Sequence, residues 1–284
     1  MGAIARYVMQ GPRQALWVAV ITAAIPLLYW VSAAVVSLVL LRHGLTKTLN
    51  ILLAVLIPCI VWIVWQQEMM QLLVVGGATL MALVLRLTSS LQYALITSLL
   101  PGIAVVILVP LIAPGWQAFL QEVAAQFLQT LEEGSELRTL LADKMFFVML
   151  GGAAVMVQLF ACGAFLMARH WQSVLYYPGG FKAEFLSLQM PKWYAVLALL
   201  AVLLEASNNT LLALGPVVVI PLFVAGIALV HRAVQDKKLS DQWLLAFYIS
   251  LLFFFFYMYA LLILVAVLDS LVGLRRWLED KANP

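Results

Sequence analysis

Charge is what this chain has least of. Of its 284 residues, 10% are Asp, Glu, Lys or Arg and 65% are hydrophobic. A soluble domain carries about 25% charged and about 45–50% apolar residues, so there are too few charges here to cover a water-facing surface. The net charge of +3 is spread along the loops, which argues against the clustered basic face that nucleic acid needs. Cysteine is equally scarce. Cys59 and Cys162 each sit inside an apolar run, form no metal motif and read as small packing residues. The motifs GxxxxGK(S/T), HExxH, CxxC and GxSxG are missing, and with them the soluble chemistries they serve. His43, His170 and His231 are too far apart in the chain for a metal-type spacing. The sequence therefore predicts no enzyme, no catalytic residue, no cofactor and no metal. Nor is a cleavable signal expected: residues 1–14 carry Arg6 and Arg13, but the apolar run behind them has no small-residue cleavage site.

What is there is a series of long, continuous apolar runs. A β-barrel would show short alternating segments instead. The expected fold is all-α, a polytopic transmembrane helical bundle forming a single integral membrane domain over 1–284. It has eight or nine membrane segments, some short or Pro-broken. Residues 15–41 contain Pro26. As one helix they would span about 40 Å at 1.5 Å per residue, long for a bilayer core of about 30 Å, so either one kinked crossing or a hairpin is possible. Further spans are expected at 48–65, 72–85 (short, with Gly76-Gly77), 91–113 (with Pro101 and Pro110), 145–168, 193–230 as two helices, and 243–268. Residues 116–144 differ: Phe119, Val123, Phe127 and Leu131 recur at helical spacing against Glu122, Glu132, Glu133, Glu136 and Asp143. This predicts an amphipathic interfacial helix pair, turning at Gly134-Ser135, as an extracytoplasmic cap.

Orientation follows from Lys and Arg. With a hairpin at 15–41 there are nine segments. Arg6, Arg13, Arg42, Lys47, Arg86, Arg169, Lys182, Lys192, Arg232, Lys237 and Lys238 fall inside, leaving Arg138, Lys144, Arg275, Arg276 and Lys281 outside. With a single crossing Arg6 and Arg13 move outside. Both versions put 169–192 in the cytoplasm, and both leave Arg275-Arg276 on the wrong side.

Ionisable and amide residues between spans are the candidates for function. Glu205, Asn208 and Asn209, in the turn Glu205-Ala-Ser-Asn-Asn-Thr210 that could line an outward cavity, and Arg86, between two apolar runs, form the candidate ligand-binding set. Each also has a plain structural role, as a turn residue or a cytoplasmic charge. The longest polar stretch runs from Arg169 past Tyr177-Pro178-Gly179-Gly180 to Trp193. Within it Arg169, Lys182 and Lys192 supply charge. Trp171, Phe181 and Trp193 suit the headgroup level, and Gln172 and Glu184 complete a surface for docking a partner protein or anionic lipid.

This stretch also carries a resemblance. Ala168-Arg169-His170-Trp171-Gln172, Tyr177-Pro178-Gly179-Gly180-Phe181-Lys182 with Glu184-Phe185, and Met190-Pro191 with Trp193 resemble the cytoplasmic loop of the YybS-like predicted membrane proteins, bacterial inner-membrane proteins of unknown function. Leu40-Leu41-Arg42-His43-Gly44, the Asn208–Asn209 pair with Gly226, Ala228 and His231, and Asp269 with Arg275-Arg276 are similar to further family features. Gln189 departs from them, since a basic residue is expected there. The resemblance implies a distant likeness to the substrate-binding (S) components of energy-coupling-factor vitamin transporters. Those have a six-helix core, an outer ligand pocket and a cytoplasmic docking surface. The expected function is a multi-pass bacterial inner-membrane component for transport or small-molecule binding; the alternative is a structural, assembly or regulatory membrane protein with no ligand.

Overall fold

The computed structural model describes residues 2–273, and among these all regular structure is helical. The chain opens with α1 (Gly2–Val8) and α2 (Pro12–Ala24), where Pro12 sits in the first turn and its missing N–H costs no helical bond. Ile25-Pro26-Leu27-Leu28 then breaks the helix, with Leu27 at φ 68°. The next helix, α3 (Tyr29–His43), packs back along α2. Residues 15–41 are thus two short helices in contact. Arms this short are stabilised by burial: α3 is enclosed almost throughout from Ser32 to Leu41.

Gly44, at φ 84°, ends α3 and turns the chain into α4 (Leu45–Gln66). Only glycine holds that angle without strain. The following helix, α5 (Met70–Thr88), is longer than the 14 residues expected, because Met70 and Gln71 join it at one end and Arg86, Leu87 and Thr88 at the other. Ser98 divides the next span into α6 (Leu91–Thr97) and α7 (Leu99–Ile112). The amphipathic segment folds as α8 (Pro114–Gln129) and α9 (Glu136–Ala142), with Gly134 at φ 79° between them.

The longest helix is α10 (Met145–Tyr176), which packs against α3, α5, α7, α8 and α13. Its length is a correction to the expected span, since the polar stretch taken as a loop from Arg169 begins as the last two turns of this helix. Then come α11 (Gly180–Leu186), α12 (Lys192–Leu204), a 3₁₀ turn at Glu205–Ser207 and α13 (Asn209–Asp236). The span expected at 243–268 is also corrected. It breaks at Phe254 into α14 (Gln242–Phe253) and α15 (Phe255–Val272).

Small residues let these helices approach closely, as lipid-embedded bundles require. A Cβ on Gly102 would lie 2.6 Å from a Val217 methyl, and one on Gly151 would lie 2.8 Å from the Ala213 carbonyl oxygen. At the centre the buried Gln158 Nε2 donates to Ser98 Oγ at 2.9 Å. That bond satisfies the serine that interrupts α6–α7, and is worth about 0.6–2 kcal/mol in such a setting.

Among the described residues six stretches are long and apolar enough to cross a membrane: Leu45–Gln66, Met70–Thr88, Leu91–Ile112, Met145–Tyr176, Asn209–Asp236 and Phe255–Val272. This is a multi-pass helical membrane protein. Its two ends differ in charge. Contacts between helix ends group His43, Lys47, Arg86, Arg169, Lys182, His231 and Lys238 at one of them. Glu68, the α8–α9 acids and Glu205 lie at the other, where Gln67 Oε1 accepts from Gly115 N at 2.6 Å and Gly151 meets Ala213. The end of α15 returns to the basic end, where Gln189 Nε2 donates to Asp269 O at 2.6 Å. The break at Phe254 is what permits this return. The tail residues Arg275, Arg276 and Lys281 lie outside the described residues.

Candidate functional site

The motifs singled out in the sequence converge on the basic end. Arg169 is only 8% exposed. Its guanidinium makes a two-pronged ion pair with Glu184 of α11, Nε donating to Oε2 at 2.9 Å and Nη2 to Oε1. Its remaining nitrogen, Nη1, donates to Gln172 Oε1 at 3.0 Å. Gln172 Nε2 in turn donates to the Leu41 carbonyl at 3.2 Å, and Arg86 Nη1 donates to the same carbonyl at 3.0 Å. A single network therefore joins α5, α3, α10 and α11. Breaking a buried pair of this kind leaves an uncompensated charge, which is why both partners are needed.

Arg86 is thereby explained as a cap. It sits on the last carbonyls of α3, where the helix dipole favours a cation, and Gly44 leaves room for it. A Cβ there would stand 3.2 Å from Arg86 Nη2. Arg42 stacks over the Tyr176 ring at 4.1 Å, a cation–π contact. At the Pro178-Gly179 reversal Gly179 has φ 84°, and Ser173 Oγ binds both strands of the turn, donating to Tyr177 O at 2.9 Å and accepting from Phe181 N at 3.1 Å.

This scaffold holds α11 over a row of rings. His170–Phe181, Phe181–Phe185, Phe185–His231 and His231–Tyr248 have centroids 5.9, 5.7, 5.6 and 5.7 Å apart. His231 Nδ1 is 3.0 Å from the Ile227 carbonyl, which can only accept, and Nε2 is 3.3 Å from Tyr248 Oη. The carbonyl contact places a proton on Nδ1, and Nε2 shares a hydrogen bond with the phenol. Beside the rings lies a groove of about 680 Å³ whose walls include Lys182 and Lys238, with Asp241 also on the lining.

At the opposite end Glu205 folds over Gly215, in the space a Cβ would take, and burial pushes its carboxyl pKa up. It lines an otherwise apolar groove of about 420 Å³ between α12, α13 and α15. Asn208 caps α13, its side-chain oxygen accepting from Thr210 N at 2.7 Å. Asn209 begins that helix and is partly covered.

The residues grouped by the sequence as a ligand set are thus separated. Glu205, Asn208 and Asn209 stay together, while Arg86 is at the far end, bound to backbone. Within the docking set Arg169 and Trp171 face inward, Trp171 being 3% exposed. Gln172 and Glu184 are committed to the network. Phe181 and Lys182 line the groove, and Lys192 and Trp193 are exposed at the start of α12. Sequence reasoning missed Phe185, His231 and Tyr248 as one assembly. Their aromatic character was visible, but their proximity depends on α14 turning back beside α13. Among the described residues no group of three His, Cys, Asp or Glu is placed to hold a metal ion. Comparison with protein-family models, curated proteins and solved structures returns no match.

Proposed function

We propose that this chain is a small-molecule-binding component of the bacterial inner membrane, with its basic end in the cytoplasm and the α8–α9 pair outside. The observation that carries this reading is the basic, aromatic groove between α10, α11, α13 and α14. Binding sites are concave, mostly apolar and furnished with a few convergent polar groups. This groove has aromatic walls, two histidines and two lysines. It suits an amphipathic ligand with a flat apolar body and a carboxylate or phosphate. The orientation rests on the positive-inside rule applied to the ends described above. The hairpin of α2 and α3 supports the nine-segment version, with its last segment folded back at Phe254. Membership of the YybS-like family is proposed from the motifs, of which Arg169, Gln172, Glu184 and Leu41 share one network.

A second reading is a structural or assembly protein with no small ligand. It is favoured by the interior, where Gly102, Val217, Gln158 and Ser98 fill the space between helices. The two separate in a thermal-shift panel of aromatic carboxylates and phosphates, run on the detergent-solubilised full chain. Binding raises the melting temperature in proportion to ligand excess. Wild-type protein should respond and Lys182→Gln should not. No response to any amphipathic anion supports the structural reading, and an equal response in the variant removes this groove as the binding site.

A further inference from the structure

The basic end has a second concavity, which shares no lining residue with the aromatic groove. It lies between the α1–α2 corner and the α3–α4 turn and encloses about 530 Å³. Its lining is divided by chemistry. Gln10, His43, Lys47 and Asn50 are polar, whereas Ala15 and Val39 are apolar and buried beneath it. The charges around it are all of one sign. No Asp or Glu occurs among the first 67 residues, and the first carboxylate, Glu68, is at the other end of α4. Lys47, Arg42 and Arg86 are the charged neighbours of His43. Arg42 is engaged with Tyr176 and Arg86 with the α3 carbonyls. Among the described residues His43 and Lys47 make no ion pair with any carboxylate.

An unpaired lysine with an imidazole and an amide, beside an apolar trough at the depth where a hairpin meets the membrane surface, fits one chemistry. We propose that this groove holds an anionic phospholipid of the leaflet on the basic side. Its phosphate is met by His43, Lys47 and the Asn50 amide, and one acyl chain lies along Ala15 and Val39. Basic pockets between membrane helices on the cytoplasmic side recognise headgroups by this means. The short arms of α2 and α3 leave bilayer volume to fill beside them, which a bound lipid occupies. The site is independent of the ligand groove and of what that groove binds.

Native mass spectrometry of the full chain, gently extracted and mixed with defined lipids, tests the assignment. Phosphatidylglycerol should be retained on the wild-type protein, with phosphatidylcholine retained at least about tenfold less. Lys47→Glu should reduce phosphatidylglycerol retention about tenfold, and Lys144→Gln, exposed at the opposite end, should leave it unchanged. If Lys47→Glu lowers expression, the His43→Gln/Lys47→Gln pair, which preserves side-chain length, should show the same loss. Inorganic phosphate at millimolar concentration should not displace the lipid. Equal retention of the two lipids, equal effects of Lys47→Glu and Lys144→Gln, or displacement by phosphate alone would each overturn the proposal.

Discussion

Two polar segments interrupt this bundle, and they are held in opposite ways. In α8–α9 the segment's own side chains bond within it: Gln126 donates to Glu122, Ser135 caps α9 through Arg138 N, and Arg138 pairs with Glu133, while Gln67 at the end of α4 holds only its first turn, through Gly115 N. Leu120 and Ala124 are its buried residues. In the segment from Arg169 to Trp193, bonds reach across the fold, from Gln172 to Leu41 and from Gln189 to Asp269. Both segments are amphipathic and both turn at a glycine of positive φ. What separates them is a buried arginine with a partner on another helix. An amphipathic pattern brings a segment to the surface of a bundle. A desolvated, paired charge fixes its position there, because any displacement leaves that charge without compensation.

The largest expected effect should fall on both regions alike. Gly102→Leu forces a side chain into Val217 and Gln158. Overpacking of this kind costs about 1–3 kcal/mol, read as a lower melting temperature in detergent and faster exchange at both ends. Next comes Glu184→Gln, which strands the Arg169 guanidinium. Because the Glu184 side chain is 39% exposed, the loss should be about 2 kcal/mol, below the about 3–5 kcal/mol of a fully buried pair. The replacement Arg169→Met with Glu184→Leu should recover most of it. A double variant as unstable as Glu184→Gln alone would remove the ion pair from the account. At the acidic end Asn208→Ala should cost only about 1 kcal/mol, the value of one helix cap. Its effect should stay confined to the start of α13.

The smallest effect concerns pH. The Glu205 carboxyl pKa is raised by burial, so the folded state holds its proton at higher pH than the unfolded chain does. Its contribution is therefore present at low pH and lost as pH rises from the ordinary carboxylate range through the raised folded value. Glu205→Gln should be slightly more stable than wild type at neutral pH, by under about 1 kcal/mol given its partial exposure, with the difference vanishing in acid. Melting temperature against pH for both proteins checks the sign. A variant less stable at neutral pH would mean that the carboxylate is held by a partner.

Much of this architecture was legible in the sequence. Phe119, Val123, Phe127 and Leu131 against acids gave α8, and Gly134-Ser135 gave its turn. Glu205 to Thr210, polar between apolar runs, gave the α12–α13 reversal. Pro26 left two possibilities, which the packing of α2 on α3 resolves into two helices. Other features have no local signature. Phe253-Phe254-Phe255-Phe256 contains neither Gly nor Pro, yet the helix breaks at Phe254. Arg169 looked like the end of a span because charges leave the membrane; its partner, Glu184, lies on another helix and allows α10 to continue. Arg86 binds a backbone carbonyl 45 residues away, a relation no side-chain pattern announces.

Hydrogen–deuterium exchange of the full chain in lipid nanodiscs tests the contrast between the two segments most directly. Local opening is governed by how each segment is tied to the rest. The amides of α11 should exchange slowly, close to those of Arg169 to Tyr176 in α10, while those of α9 exchange at least about tenfold faster. Glu184→Gln should bring α11 to the rate of α9. If wild-type α11 already exchanges as fast as α9, the network does not hold the basic end, and the groove it builds is not preformed.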